Sequence, residues 1–341
     1  MSLVASAPMT LARRLDLPGA GIFFFTGLLI VSWLLNVVLV LVPFGAVAEI
    51  ALLVWAAKYD RVAFNGQGRP SLAFRRAWWW RAYRSYFPVS LRQEEPLDAS
   101  KRYIFGIHPH GILGFGAWMT FAADTVGLSS KNGDLDIALA TVKSNFFVPF
   151  WRDILLAVGF VDAGFQSLRA VLQRQRSVAV VVGGAAEALH AHPGTNDLIL
   201  HKRKGFVRLA LVTGTPLVPV FMFGENDLFY QVPNPKGSLL YSIQKLFLRR
   251  FKFSPPLPVG VGILGCPVGS MPRRVPLHVV TGAPLAVSQS ASPTDDEVNQ
   301  AHARYCASLE QLYAKHAVEY YTQILPENLR PSVLPKLRII E

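Results

Sequence analysis

Near the start of the chain, apolar residues run almost without interruption. From Gly19 to Ala57 only four positions are polar. A bilayer crossing takes about 20 apolar residues, so this block is about twice as long as one crossing needs. Pro43 and Gly45 lie inside it and disfavour a single straight helix. The pattern predicts a membrane hairpin over 19–57 that turns near Pro43, with a second arm that either spans the bilayer or is re-entrant.

The charges that flank this block predict its orientation. Arg13 and Arg14 precede it, and Lys58 and Arg61 follow it. Because positive flanks favour the cytosolic side, both ends of the hairpin are expected there, with residues 1–18 as a cytosolic tail. A cleaved signal peptide is disfavoured, since its apolar region would be only about 7–15 residues long.

Basic and aromatic residues alternate over 74–87, where three consecutive tryptophans run from Trp78 to Trp80. Trp and Tyr favour the headgroup level of a bilayer, and Arg attracts anionic lipid. Residues 58–94 are therefore predicted to form an interfacial segment. The alternative is a solvated helix with its aromatic side chains in the core, although three consecutive tryptophans cannot all face one way on a helix.

Beyond residue 94 the pattern changes to that of an α/β domain, which is predicted to occupy 95–341. Short apolar runs typical of buried strands alternate with segments of helical periodicity. Such alternation predicts a mostly parallel sheet flanked by helices. The predicted strands are Tyr103–Ile107, Ile137–Thr141, Val178–Val182 and Leu217–Phe223, and the predicted helices lie near 151–158, 166–175 and 205–213.

A loop and a long helix are predicted after the last of these strands. The stretch 254–276 is rich in Pro and Gly, which predicts a loop. Thr294 and Glu297 have the spacing of a capping box, which predicts a helix that starts there and continues to about Tyr321.

Composition narrows the environment of the protein. Of its 341 residues 51% are hydrophobic and 16% are charged, whereas soluble globular domains have about 25% charged residues. The net charge of +12 favours an anionic membrane surface or a phosphorylated cofactor as partner. Nucleic acid is disfavoured, because the sequence has no zinc spacing, basic heptad region or RNP-like strand. Cys266 and Cys306 are too few for a disulfide framework and fit a reducing compartment.

The sharpest local motif is His108-Pro109-His110-Gly111, which directly follows the first predicted strand. Ligands bind at strand ends in α/β sheets, and glycine lets the backbone approach a substrate closely. A histidine there suits a general base, because its pKa lies near working pH. From the residues alone, a metal-binding pair and two structural histidines remain alternatives.

Two further motifs carry charge. Gly183-Gly184-Ala185-Ala186-Glu187 follows another predicted strand, and Glu187 fits either a partner that orients a histidine or a carboxylate that complements a helix dipole. Arg203-Lys204-Gly205-Phe206 opens a predicted helix. Basic residues at a helix N-terminus fit an anion site for phosphate groups, and solvated surface charge is the alternative.

Together these motifs resemble the diacylglycerol acyltransferase type 2 family, which includes monoacylglycerol and wax-alcohol acyltransferases. The resemblance covers roughly residues 80–320, with order and spacing kept. The matching stretches are Tyr86-Phe87-Pro88, Tyr103 to Gly111, Asn145-Phe146 with Pro149 and Arg152, Gly183 to Glu187, Arg203 to Ala210, Val218-Pro219, Phe223-Gly224-Glu225-Asn226, and Val279 to Pro284.

This resemblance implies a glycerolipid acyltransferase-like fold in an enzyme of the endoplasmic-reticulum membrane, with its catalytic domain facing the cytosol and with access to lipid droplets. It implies transfer of a fatty acyl group from acyl-CoA to diacylglycerol, which makes triacylglycerol. Acyl-CoA is then a co-substrate, no tightly bound cofactor or metal is expected, and homo-oligomerisation is left open.

The resemblance also assigns site residues. The favoured base of the family corresponds to His110, with His108 and Glu187 as the other catalytic candidates. Asp153 stands where the family commonly has glutamate, and the family's Phe-Leu-x-Leu lipid-binding pattern is not cleanly present in Phe23–Ile30. The predicted substrate-binding residues are Pro109, Gly111, Asn145, Gly183, Gly184, Arg203, Lys204, Gly205 and Phe206.

Other functions stay open at this stage. A monoacylglycerol or wax-alcohol acyltransferase would use the same chemistry on another acceptor, whereas a non-catalytic lipid-droplet scaffold would not need paired strand-end motifs. A phosphoglyceride acyltransferase is disfavoured, since Leu113 and Phe115 stand five positions after the two motif histidines, where Asp would be expected. His192 and Asp197 have that spacing but follow the second glycine turn, where such a dyad would normally come first.

Overall fold

The computed structural model describes residues 30–235, 237–251, 256–262, 269 and 271–340. Its strands are β1 (Val89–Gln93), β2 (Ile104–His108), β3 (Ile137–Thr141), β4 (Phe160–Asp162), β5 (Ser177–Val181), β6 (Asn196–Leu198), β7 (Leu217–Phe223), β8 (Tyr230–Gln231), β9 (Pro258–Val259), β10 (Leu277–Thr281) and β11 (Leu337–Ile339).

Helices cover the sheet and extend from it. They are α1 (residues 30–41), α2 (Gly45–Lys58), α3 (Leu72–Arg75), α4 (Trp78–Tyr86), α5 (Phe115–Ala117), α6 (Trp151–Val158), α7 (Phe165–Gln173), α8 (Gly184–Ala188), α9 (Gly205–Thr213), α10 (Leu239–Phe251) and α11 (Asp295–Glu319). Single turns of other helix types lie at Trp118–Ala122, Ser130–Asn132, Lys143–Phe147, Glu225–Asp227, Tyr320–Ile324 and Glu327–Leu329.

A seven-stranded sheet forms the centre, in the order β1-β10-β7-β2-β5-β3-β4. Its neighbours are parallel except for β10 and β7, which pair antiparallel. Every residue of β2, β7 and β10 is buried, as expected of strands covered on both faces. The predicted α/β class with a mostly parallel sheet is confirmed.

The predicted elements of the domain agree closely with the structure. Strands β3 and β7 and helices α6 and α9 have the predicted bounds, and β2 and β5 are displaced by one residue. Helix α11 begins with the predicted capping box, in which the Thr294 hydroxyl accepts from Glu297 N and the Glu297 carboxylate accepts from Thr294 N. The predicted loop 254–276 lies partly outside the described residues, and its described part contains β9, which pairs with β8.

The N-terminal apolar block is helical where it is described. Residues 42–44 separate α1 from α2, so the turn predicted near Pro43 is present. Many large apolar side chains of both helices are exposed. In the described ranges, however, no helix combines the length and apolarity that a membrane crossing requires. Residues 1–29, which include the predicted tail and the start of the predicted hairpin, lie outside the described residues.

The aromatic segment is divided between core and surface. Trp80, Tyr83 and Tyr86 are buried in the core, whereas Trp78 is exposed. Helix α4 therefore turns its three tryptophans to different sides, as its geometry requires. The buried Arg75 guanidinium donates to the carbonyls of Phe121 and Ala122, so this basic side chain serves the packing of the domain.

Helices α1 and α2 are tied to the α/β domain at α6. Asn36 Nδ2 donates to the Pro149 carbonyl over 3.1 Å. Beyond the end of α2, the buried Asp60 carboxylate accepts from Arg152 Nη1 at 2.8 Å, and the exposed Arg69 approaches the same oxygen. A buried ion pair therefore fixes where the apolar helices leave the domain.

Replacing Arg152 with Met should lower the free energy of unfolding by about 3 kcal/mol, because the Asp60 carboxylate stays buried without its buried partner. The matched change Arg69→Met removes the exposed partner of the same carboxylate and should cost less than about 1 kcal/mol. Denaturant unfolding of both variants in detergent measures the difference. Equal losses would show that burial does not set the strength of this contact.

Candidate active site

Three strand ends meet at one edge of the sheet. Strand β2 lies between β5 and β7 and runs parallel to both. The turns that follow these strands, 108–111, 183–187 and 224–227, therefore lie side by side. The sequence placed candidate chemistry in the first two turns, and the structure adds the third.

His108 lies in the packed interior. Its Nε2 is 3.0 Å from the hydroxyl oxygen of Tyr305, and that hydroxyl donates to the Gly106 carbonyl. Because the hydroxyl hydrogen is used for the carbonyl, Nε2 of His108 must donate its own hydrogen to Tyr305. Burial lowers the pKa of His108 to about 3. This imidazole is neutral and held in one tautomer by a tyrosine of α11.

His110 is only partly buried and has different surroundings. Its Nδ1 lies 2.9 Å from the Gly111 carbonyl oxygen, which can only accept, so Nδ1 carries the hydrogen and Nε2 keeps its lone pair. Burial lowers the pKa of His110 from its usual value, and the positive charge of Arg203 lowers it further, against the opposing effect of the Gly111 carbonyl. Near neutral pH, this imidazole can accept a proton at Nε2.

Glu187 holds backbone rather than an imidazole. Its carboxylate accepts from His110 N at 2.6 Å and from Ile199 N at 2.7 Å. Within the described residues it has no hydrogen bond to either motif histidine ring, so the contact suggested by the sequence is replaced by one to the His110 main chain. A Cβ at Gly183 would lie 2.2 Å from this carboxyl group, so only glycine fits there. Burial raises the pKa of Glu187 to about 7.

Glu225 is a site residue for which the sequence analysis proposed no role. Its buried carboxylate accepts from Phe115 N at 2.9 Å and from Gly116 N at 2.8 Å. Its Cγ packs against Gly111, where a Cβ would lie only 2.6 Å away. Burial raises the pKa of Glu225 to about 7. The signal that could have found it is its position in a glycine-containing turn after a buried strand, a feature it shares with Glu187.

The predicted basic motif lies beside these turns. Arg203 Nη2 donates to the Gly183 carbonyl over 3.1 Å, and its charge lowers the pKa values of both His110 and Glu187. Lys204 instead donates to Asn299 of α11. Gly205 begins α9, and the ring of Phe206 packs on Tyr305 with 4.8 Å between centroids.

The other predicted residues differ in their proximity to His110. Pro109 and Gly111 flank it, and Gly184 follows Gly183 in the second turn. Asn145 follows β3 and donates to the Thr141 hydroxyl, with no hydrogen bond to either motif histidine in the part of the chain that is described.

The geometry supports neither a catalytic dyad of His192 and Asp197 nor a metal site. Nε and Nη2 of Arg338 each donate to the Asp197 carboxylate at 2.7 Å, so both of its oxygens are engaged by this arginine. Over the described ranges, no group of three His, Cys, Asp or Glu side chains is arranged to hold a metal ion. The arrangement can instead supply one proton acceptor, His110, on a turn fixed by two buried carboxyl groups.

Comparison with known proteins identifies the family. The family model described as "Diacylglycerol acyltransferase" matches residues 41–325. "Diacylglycerol O-acyltransferase 2" of Dictyostelium discoideum is 39% identical over 90% of this chain and 92% of its own length. "2-acylglycerol O-acyltransferase 3" of Homo sapiens is 40% identical over 74% of this chain and 75% of its own length.

Among solved structures, the chain is similar to the 1-acyl-sn-glycerophosphate acyltransferase PlsC of Thermotoga maritima. The identity is 14% and the TM-score is 0.40, over 90% of this chain and 100% of that one. The family match covers most of the sequence and includes all three strand-end turns. This protein belongs to the diacylglycerol acyltransferase family.

Proposed function

We propose that the protein transfers a fatty acyl group from acyl-CoA to the free hydroxyl of diacylglycerol and so makes triacylglycerol. Family membership supports acyl transfer, and the similarity to a diacylglycerol O-acyltransferase over nine-tenths of the chain supports this acceptor. The observation that carries the chemistry is the lone pair on Nε2 of the partly exposed His110. Because the relatives are O-acyltransferases, a non-catalytic scaffold is set aside.

A second acceptor has specific support. Relatives named 2-acylglycerol O-acyltransferases are 38% and 40% identical to this chain over about three-quarters of its length. Monoacylglycerol is therefore the alternative acceptor, with diacylglycerol as the product. The wax-alcohol alternative rests on the family resemblance alone.

In the mechanism, Nε2 of His110 takes the proton of the acceptor hydroxyl while its oxygen attacks the thioester carbonyl of acyl-CoA. The tetrahedral intermediate then collapses, the C–S bond breaks, and the imidazolium returns the proton to the CoA thiolate. A positioned base contributes about 10²–10⁴ in rate. The rest comes from holding both substrates in a reactive geometry and from hydrogen-bond donors to the oxyanion.

Glu187 and Glu225 act on the base through the backbone. Glu187 binds His110 N, and Glu225 binds the N–H groups of Phe115 and Gly116 while packing on Gly111. Glu187, which follows β5, and Glu225, which follows β7, therefore hold the His110 turn from its two sides. They are positioning residues in this mechanism, and Arg203, which donates to the Gly183 carbonyl in the turn of Glu187, offers a positive charge for the phosphates of CoA.

The site is proposed to work at a lipid surface. Both lipid substrate and product are insoluble in water, and the exposed apolar side chains of α1 and α2 need a nonpolar environment. We propose the cytosolic face of the endoplasmic-reticulum membrane, with access to lipid droplets, as this location.

An acceptor assay tests the proposed function. Microsomes from a triacylglycerol-free host expressing the chain would receive radiolabelled oleoyl-CoA with diacylglycerol, 2-monoacylglycerol or a fatty alcohol. We expect label in triacylglycerol when diacylglycerol is supplied. Label in diacylglycerol alone would establish the monoacylglycerol alternative, and no transfer to any acceptor would refute the proposal.

Replacing His110 with Ala should reduce acyl transfer by about 10²–10⁴-fold, because the proton acceptor is removed. Binding of the protein to microsomes should be unchanged. His192→Ala is the matched control, since this histidine lies in a neighbouring loop without a role in the mechanism, and it should retain activity. Full activity in the His110 variant would end the general-base assignment.

Replacing Glu225 with Gln should lower kcat by about 10–100-fold, since a buried N–H group left without an acceptor costs about 1–3 kcal/mol. The KM for acyl-CoA should not change, because the contacts of Glu225 are with the turn. Glu187→Gln should behave in the same way. The control Glu310→Gln alters an exposed carboxyl group and should leave kcat unchanged, and a normal kcat in the Glu225 variant would remove its positioning role.

A further inference from the structure

Helix α10 belongs to an insertion that leaves and rejoins the domain at one place. The insertion runs from β8 to β9, and these two strands pair with each other. Val232 N donates to the Leu257 carbonyl and extends this pairing to the base of the insertion. At 13 residues, α10 is about 20 Å long.

Helix α10 carries large apolar side chains on its outer face. Gln244 faces the protein and is 0% exposed, and its side chain accepts a hydrogen bond from Asn234. On the opposite side Leu239, Ile243 and Leu246 are 78%, 42% and 63% exposed. Their spacing of four and three residues puts them on one helix face. A helix with an exposed apolar face of this kind is suited to a nonpolar phase on its outer side.

The charge around α10 indicates the nature of that phase. From 228 to 294 the sequence contains seven Lys and Arg residues and no Asp or Glu. Two of them, Lys245 and Arg249, are exposed on α10 itself beside the apolar face. Apolar side chains flanked by cations fit the boundary between acyl chains and anionic headgroups. A protein partner would have to offer an apolar patch surrounded by acidic residues. The same segment of a second copy of this chain could not do so, because it contains no acidic residue.

The base of the insertion is joined to the candidate active site. Gln231 Nε2 donates to the carbonyls of Ala188 and Ala191, at 3.0 and 3.2 Å. Asn234 Nδ2 approaches the Leu189 carbonyl at 3.4 Å. These carbonyls follow Glu187 directly in the chain. A surface in contact with α10 would therefore lie close to the turn that carries Glu187. Because Glu187 binds His110 N, that surface would also lie close to His110.

We infer that α10 lies in an anionic lipid surface and is a second membrane contact, separate from α1 and α2, that holds the active-site edge of the sheet against the lipid. The inference deepens the proposed function, on which it rests for the location of the acceptor lipid. Two separated contacts restrict the tilt of the domain on the surface more than the N-terminal helices alone would.

A fluorescent probe on the outer face of α10 tests this inference without using enzyme activity. Leu246→Cys in the full chain, with Cys266 and Cys306 replaced by Ser, is labelled with an NBD fluorophore. Phosphatidylcholine vesicles with phosphatidylserine should shift its emission to the blue, and vesicles without the anionic lipid should shift it less. The control Val318→Cys carries the probe on an exposed apolar position of α11 between Lys315 and Glu319, and its emission should stay constant.

Three results would overturn the inference. They are an unshifted probe at Leu246, an equal shift at Val318, and a shift that appears without vesicles as the protein concentration rises, which would indicate a second copy of the chain on α10. A blue shift in a protein that transfers no acyl group would refute the proposed function and leave the lipid contact intact.

Activity provides a second measurement. The double variant Ile243→Glu with Leu246→Glu should lose about tenfold in transfer to diacylglycerol presented in vesicles, with transfer to detergent-dispersed diacylglycerol unchanged. Val318→Glu should match the unaltered protein in both assays. An equal loss in vesicles and detergent would indicate damage to the fold instead of a lost lipid contact and would count against the inference.

Discussion

The arrangement of the site depends on two buried carboxyl groups whose hydrogen-bond partners are backbone N–H groups. Glu187 and Glu225 come from strands on either side of β2, and together they fix the turn that carries His110. Burial disfavours their charged forms and raises both pKa values to about 7. The backbone N–H groups oppose that shift, so each carboxyl group and the turn stabilise each other. Because glycine stands at 111 and 183, the carboxyl groups can approach the backbone this closely.

The two histidines of one motif have separate tasks because of what surrounds them. His108 is the last residue of a fully buried strand and is bound by Tyr305 of α11. His110 lies two residues further, past the edge of the sheet, where the residue is partly exposed and its Nε2 keeps a lone pair. The first histidine joins the sheet to α11, and the second is available for chemistry. A motif of four residues thus contains both a packing contact and the proposed base.

The framework of the domain links the proposed lipid contacts to the proposed catalytic turn. The buried pair of Arg152 and Asp60 fixes the apolar helices at the α6 side. Gln231 and Asn234 fix the α10 insertion to the segment that follows Glu187. With both surfaces attached to the sheet, the orientation of the domain on a membrane determines where the His110 turn faces. This coupling suits a reaction between a soluble, anionic donor and an insoluble acceptor.

The sequence by itself determined the alternation of strands and helices, the bounds of β3, β7, α6 and α9, and the motif that contains His110, because these follow from local periodicity and turn chemistry. It missed β1, β4 and β10 of the central sheet and the short strands β6, β8, β9 and β11, which acquire their structure from pairing with neighbouring strands. Only the tertiary structure decided that Glu187 binds backbone instead of imidazole, that Glu225 shares the site, and that Tyr305 fixes His108. These contacts join residues 77 to 197 positions apart, and no local pattern carries information about partners at that distance.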